Sequence, residues 1–356
     1  LITTQHMEVG TARLRSILYK PGVPEESYKK QLEEYLNKKF EVLKSLYFKD
    51  GVDCIIFMND YGLELVNKIE KDNKIDNIIK GEKFEKYLEK LQKKSVSDMI
   101  RELDVPDERD SLLVPSLMLF KTLVSNFKAS KIWIPGVDIN DGIAYDYAEK
   151  NHFIKASHDF KADIISAAKY MSAHYNSHSP HIEALDVLSM KIFDALKKNN
   201  GLTDRDKLLL EVAVILHDCG KYISMVNSAQ CAYEIIMASE IIGLTHAERE
   251  IVALTVLYNS IQLDLYEDLS DRIDYGSYIK VAKLSAILRV ANALDQSHMQ
   301  KFKNVKTSLK GRELIITLEV FEDISLEQAL FENKIAYFEN VFSIKPVLKQ
   351  KRIYDV

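Results

Sequence analysis

At 356 residues the chain is long enough for two or three domains, each with its own core. An apolar fraction of 47%, a charged fraction of 28% and only 12 Gly and 7 Pro describe a helix-rich globular chain with few irregular loops. The net charge of −5 argues against a protein built to wrap nucleic acid, and no run approaches the length of a membrane span, so neither nucleic acid nor membrane is an expected partner. Cys54, Cys219 and Cys231 show no zinc-type or paired spacing, which suits a reducing, cytoplasmic location. Residue 1 is Leu rather than Met, and the opening residues read like the middle of a domain, as in a fragment of a longer protein.

Residues 1–20 alternate apolar and polar positions around Gly10, a pattern that predicts a strand and a turn. From Glu25 to Tyr47 the step changes to three and four, with Tyr28, Leu32, Tyr35 and Leu36 on one helical face. The run "DCIIFMN" (53–59) predicts a buried strand, and the Lys/Glu-rich stretch 68–94 a solvated helix face. A strongly apolar helix is predicted over 110–127, a second buried strand at "KIWIP" (131–135), then a turn into a helix over 136–151. Strands alternating with helices predict an α/β lobe over residues 1–155.

Residues 156–302 carry almost unbroken helical periodicity and predict an all-α domain. Asn200 and Gly201 read as a helix stop, and Thr203 as the N-cap of the next helix with Asp206 three residues on. Residues 303–356 return to alternation, with a strand in "GRELIITLEVF", a helix over 325–342 and an extended end, a small α+β segment.

Ionisable residues interrupt the apolar helices at four places. His217 and Asp218 close the run "LEVAVIL", His181 opens the amphipathic helix "HIEALDVLSMKIFDAL", and Asp295 sits in "ILRVANALDQSH". Each alone reads most simply as a hydrogen-bonded core polar group. Together they form a set of imidazoles and carboxylates suited to a divalent metal. His174 and His178 read as loop polarity, Cys219 as a small core residue, and Ser297 with His298 as helix C-terminal polarity that can also line the same pocket. Lys221 and Arg289 are either phosphate contacts or surface groups.

The spaced pattern of His181, His217–Asp218 and Asp295 resembles the HD superfamily of metal-dependent phosphohydrolases. Longer stretches narrow the likeness. "HIEALDVLSMKIFDAL", "LLEVAVILHDCGKYIS", "AILRVANALDQSH" and "ENKIAYFENVF" resemble the C-terminal half of the Ppx/GppA exopolyphosphatase and guanosine-pentaphosphate phosphatase family. "LITTQHMEVGTARL", "DERDSLLVPSLMLFKTLV" and "INDGIAYDYA" resemble segments of its second lobe, in the same order.

The resemblance implies an incomplete actin-like (ribonuclease-H-like) lobe, an HD-like helical domain and a small C-terminal segment. It also implies a homodimer, divalent Mg or Mn, and release of terminal phosphate from polyphosphate or pppGpp. The family's first lobe has no counterpart here, so no catalytic residue is identifiable. The metal set is His181, His217, Asp218 and Asp295.

Four departures qualify the likeness. The family's glycine-rich phosphate loops have no counterpart before Leu1. "MNDYGLEL" stands where the family has a Thr-Gly-Gly-Thr-like turn, leaving Gly62; "DINDG" has Asn140 in place of an arginine, followed by Gly142. Gly62, Asn140 and Gly142 are the remaining candidates for phosphate binding. Finally, "NSAQCA" (227–232) lacks the family's histidines, and Asn259 stands where members tend to have His. Two alternatives follow: a non-catalytic member that binds polyphosphate or nucleotide or serves dimerisation, and an independent metal-dependent HD phosphohydrolase.

Overall fold

The computed structural model describes residues 4–58, 60–69, 77–106, 110–155, 157–197 and 200–353. Among them the chain is mixed α/β, mostly helical, with two three-stranded sheets. It divides into two compact units, one of residues 7–157 and one of residues 158–356 together with 1–6.

In the unit of residues 7–157, helix α1 (Thr11–Leu18) is followed by α2 (Glu25–Tyr47). The strand and turn predicted for 1–20 is a misreading where α1 stands. Leu14 and Leu18 are one helical turn apart, and Leu14 is fully buried with Val114 and Met118, so the four-residue step prevails over the two-residue one. In α2 the buried Tyr28, Leu32, Leu36 and Phe40 recur every four residues as one stripe.

β1 (Cys54–Ile56), α3 (Asp60–Ile69), β2 (Ile78–Lys80) and α4 (Gly81–Gln92) come next. They are followed by α5 (Val96–Leu103), α6 (Asp110–Phe127), β3 (Lys131–Trp133) and α7 (Ile139–Lys150). β3 is the central strand, parallel to β1 and antiparallel to β2, with Ile132 paired to both Ile55 and Ile79.

The charged stretch 68–94 thus holds a strand as well as a helix, while residues 70–76 within it lie outside the described residues. Its helix α4 is solvated on one face but buries Phe84, Leu88 and Leu91 on the other. Phe57, Phe84 and Phe120 form an aromatic core there, with the Phe57 and Phe120 ring centroids 4.6 Å apart.

The second unit is a helix bundle closed by a sheet. Its helices are α8 (Phe160–His174), α9 (Ser179–Leu196), α10 (Asp204–Leu216), α11 (Ser228–Ala238), α12 (His246–Ser260), α13 (Tyr266–Leu269) and α14 (Tyr275–Ala293). A 3-10 turn at Cys219–Tyr222 joins α10 to α11. β4 (Phe302–Lys310) and β5 (Glu313–Val320) are antiparallel; α15 (Ser325–Phe342) then returns the chain to β6 (Lys345–Arg352), parallel to β5. Leu314, Ile316, Leu318, Phe331 and Phe338 share one continuous core with Leu185, Phe193, Leu210 and Leu284 of the helices. No helix among the described residues is long and apolar enough to cross a membrane.

The start of α10 fixes its register against the bundle. Asp206 Oδ2 accepts from the Thr203 amide (2.8 Å) and hydroxyl (2.7 Å), while Thr203 Oγ1 accepts from the Asp206 amide (3.2 Å), a reciprocal capping box. Asp206 is fully buried, and its second oxygen lies 2.9 Å from Lys280 Nζ of α14. Replacing it strips a cap and removes the carboxylate that the half-exposed Lys280 ammonium faces. Asp206→Ala is expected to lower the unfolding free energy by about 1–2 kcal/mol in a urea titration; an unchanged midpoint would show that the cap does not anchor α10.

Candidate metal centre

Three helices of the bundle end or begin at one buried point. His181 lies in the first turn of α9, His217 caps the C-terminus of α10, Asp218 precedes the 3-10 turn, and Asp295 follows α14. His181 (0% exposed), Asp295 (1%), His217 (5%) and Asp218 (7%) are all withdrawn from solvent. Four ionisable side chains at such depth are stable only if their polar atoms are satisfied.

Two of the satisfying bonds fix the histidine tautomers. His181 Nδ1 lies 2.7 Å from Asp295 Oδ2. Burial pushes the Asp295 carboxyl up, but bonds from His181 and Gln300 outweigh it and hold the group below the usual carboxylate range. An ionised carboxylate only accepts, so His181 Nδ1 carries the proton. His217 Nδ1 lies 2.7 Å from the Val214 carbonyl oxygen, which also only accepts, so this nitrogen is protonated as well.

Burial depresses the His217 imidazole to about 4; Asp218 opposes that shift, and His181 reinforces it. Near neutral pH His217 is therefore uncharged, and its Nε2 is a bare lone pair. Both Nε2 atoms, of His181 and of His217, are buried and accept no hydrogen bond among the described residues.

The electrostatics point the same way. His217 Nε2 faces Asp218 Oδ1 at 3.3 Å, a lone pair opposite an anionic oxygen with no proton between them. Asp218 is held ionised: burial pushes it up, but His217, the Lys221 bond and the Lys221 charge bring it down. Lys221 Nζ donates to Asp218 Oδ2 at 2.8 Å, which leaves Oδ1 turned toward the histidines. Such an arrangement is repulsive unless a cation lies among the donors. His181, Asp218 and His298 each place one ligand atom within 4.8 Å of the other two. The donor set fits a divalent metal.

Local packing explains the glycine of "HDCGK". A Cβ on Gly220 would lie 1.9 Å from the Ser228 carbonyl oxygen and 2.4 Å from the Ala232 nitrogen, so only glycine lets the chain turn beneath α11 after Asp218. Cys219 is fully buried, and burial pushes its thiol up to about 12, which makes it an inert core group.

His298 lies three residues beyond Asp295 and stacks on His181 with ring centroids 3.7 Å apart and planes 10° apart. Its position depends on a left-handed backbone (φ 57°) that sequence periodicity does not report. Arg289 is engaged elsewhere, donating to the carbonyls of Tyr258 (2.5 Å) and Ile261 and lying over the Tyr337 ring. His178 caps α9 through the His181 amide, and its ring lies 5.6 Å from that of His298.

Gly62, Asn140 and Gly142 belong to the other unit. Gly62 is buried inside α3, where a Cβ would come within 2.8 Å of Ile134 Cγ2. Asn59, of the expected phosphate turn, lies outside the described residues, as do residues 107–109 of the "DERD" stretch. Asn140 and Gly142 are in the first turn of α7, where Asp138 Oδ1 already accepts from the amides of Asn140 (2.7 Å) and Asp141 (3.1 Å). A cavity of about 550 Å³ in the helical unit, beside Met171, Tyr175 and Ile235, has none of the His/Asp cluster in its lining.

Residues 166–337 match the family model described as Ppx/GppA phosphatase, domain III, a stretch that includes every residue of the cluster. Two solved structures from Aquifex aeolicus are similar. One, described as the Ppx/GppA family member, is 15% identical with a TM-score of 0.34, over 43% of this chain and 49% of that one. The other, a Ppx/GppA phosphatase described as the type II variant, is 15% identical with a TM-score of 0.32, over 39% and 47%. The chain thus matches about half the length of these relatives. No curated protein matches it.

The depressed value of His217 has a consequence for stability. The unfolded imidazole titrates near 6.5 and the folded one near 4, so between these values the unfolded chain binds more protons and stability climbs with pH. Metal-free protein is expected to gain on the order of 3 kcal/mol of unfolding free energy across that window. Asp218 and Asp295, held below their ordinary range, extend the loss to lower pH. Urea titrations in chelator at several pH values check this, and a slope undiminished in His217→Gln would contradict it.

Proposed function

Because the chain belongs to the Ppx/GppA family, we propose that it serves metal-assisted hydrolysis of a terminal phosphoanhydride, in polyphosphate or a guanosine polyphosphate. In this reading the helical unit is HD-like and acts within a homodimer, with a divalent cation held at His181, Asp218 and His298, beside His217. One observation carries the proposal: two buried imidazole Nε2 atoms without hydrogen-bond partners lie beside an ionised carboxylate.

A bound cation would supply charge to neutralise a phosphate oxygen and acidify a water ligand. The chain's own groups do the rest. Asp295 holds His181 in one tautomer through Nδ1, and the Val214 carbonyl does the same for His217. Lys221, only partly buried, brings a positive charge to the rim of the cluster while steadying Asp218. An incoming phosphate would meet that charge directly.

A second reading is favoured by the first turn of α7. There Asp138 accepts from two of the amides that a phosphate would use, and those amides hold its carboxyl below the usual range. In that reading the unit of residues 7–157 no longer binds phosphate.

Phosphate release from polyphosphate, pppGpp and a simple phosphomonoester, with Mg²⁺ or Mn²⁺, separates the two. The first reading expects release that falls about 100-fold or more in the His181→Ala/His217→Ala double variant. Release equal to wild type in that variant would contradict a role for the cluster. No release from any of the three substrates would show that the cluster alone does not carry the hydrolysis.

A further inference from the structure

Building on the metal reading proposed above, we infer that the cluster is a nitrogen-rich site selective for a first-row transition ion of the Zn²⁺ class, in which His298 is a ligand and Asp295 is a positioning residue. The sequence pattern alone would make Asp295 a ligand and would leave His298 out. Three observations reverse that assignment.

First, the Asp295 carboxylate is occupied. Oδ2 accepts from His181 Nδ1 at 2.7 Å and from Gln300 Nε2 at 3.1 Å, and Oδ1 accepts from the Gln300 amide at 2.8 Å. Three of its roughly four lone-pair sites are used, all of them in orienting neighbours. A carboxylate bonded to the far nitrogen of a ligating histidine is the usual arrangement behind a metal-bound imidazole.

Second, the loop from Asp295 to Lys301 is bent so that His298 reaches the cluster. His298 and Gln300 both adopt left-handed backbone, at φ 57° and 47°. Non-glycine residues in that region carry strain of about 1 kcal/mol or more, and such strain gathers at functional sites. The bend is held by the His298 amide donating to the Asp295 carbonyl (3.0 Å) and by the Gln300 bonds to the Asp295 side chain. Its result is a third imidazole stacked on His181, with a ligand atom within 4.8 Å of those of His181 and Asp218.

Third, the donors are mostly nitrogen. His181 and His298 supply imidazole nitrogens within 4.8 Å of an Asp218 oxygen, and His217 Nε2 lies 3.3 Å from Asp218 Oδ1. Asp218 supplies a single free oxygen, its other being tied to Lys221. Imidazole-rich sites suit Zn²⁺, Fe²⁺, Ni²⁺ and Cu²⁺, whereas Mg²⁺ prefers oxygen ligands and retained water. The expectation of Mg or Mn from family resemblance therefore gives way, at this cluster, to a borderline-soft ion.

The test uses the full chain, stripped with chelator, dialysed and titrated separately with Zn²⁺, Co²⁺ and Mg²⁺ by calorimetry. Metal content after dialysis and the visible spectrum of the Co²⁺ form are read in parallel. The expected result is one Zn²⁺ or Co²⁺ per chain, not displaced by millimolar Mg²⁺. His298→Ala, a change at a half-buried loop residue, should weaken Zn²⁺ binding about tenfold or more and alter the Co²⁺ spectrum. Asp295→Asn should weaken binding by about 10- to 100-fold while keeping the spectrum. Wild-type Zn²⁺ affinity in His298→Ala, or Mg²⁺ binding as tightly as Zn²⁺, would overturn the inference and leave the broader metal reading intact. Failure of every ion to bind would overturn both.

Discussion

The hydrogen bond from His181 Nδ1 to Asp295 Oδ2 is the constraint on which the rest of the centre depends. It joins the first turn of α9 to the loop after α14, two points 114 residues apart in sequence, inside a region closed to water. By engaging Nδ1 it leaves the opposite nitrogen, Nε2, buried and without a hydrogen-bond partner. The Val214 carbonyl imposes the same state on His217. The fold thus spends two buried hydrogen bonds to leave two imidazole nitrogens without partners. That is a poor way to build a hydrophobic core and a sound way to build a cation site.

The surrounding bundle keeps the arrangement rigid. Leu185 and Leu188 of α9, Val212 and Leu216 of α10, and Ile287 and Val290 of α14 belong to one continuous core, so the three helices that deliver the ionisable groups cannot move independently. Asp206 pins the start of α10 to Thr203 and to Lys280 of α14, and Gly220 lets the chain leave that helix beneath α11. The C-terminal sheet and α15 extend the same core rather than forming a separate one. By contrast α7, in the other unit, buries none of its residues, and its first turn is capped internally by Asp138.

Much of this was legible in the sequence wherever the signal is local. Thr203 and Asp206 form the expected helix start, the strand in "GRELIITLEVF" is β5, and the apolar runs 110–127 and 131–135 contain α6 and β3. His181, His217, Asp218 and Asp295 were recognisable as ionisable groups on apolar helices and as a set suited to a divalent metal. What Asp295 does depends on donors from Gln300, and what His298 does depends on two left-handed residues; neither leaves a periodic trace. β2 was hidden in a lysine- and glutamate-rich stretch because its three residues are too few to show alternation. Around Leu14 a two-residue pattern and a four-residue pattern coexist, and only burial against α6 decides between them.

The protonation state of the two buried imidazoles is the most direct measure of this account, because every later step rests on it. Nitrogen-15 NMR of the histidine side chains in metal-free protein near neutral pH reads the tautomer at each ring. The account requires His217 to be neutral with the proton on Nδ1, His181 to carry a proton on Nδ1, and both Nε2 resonances to move when Zn²⁺ is added. His217 protonated on Nε2, or Nε2 resonances that Zn²⁺ leaves unmoved, would contradict it.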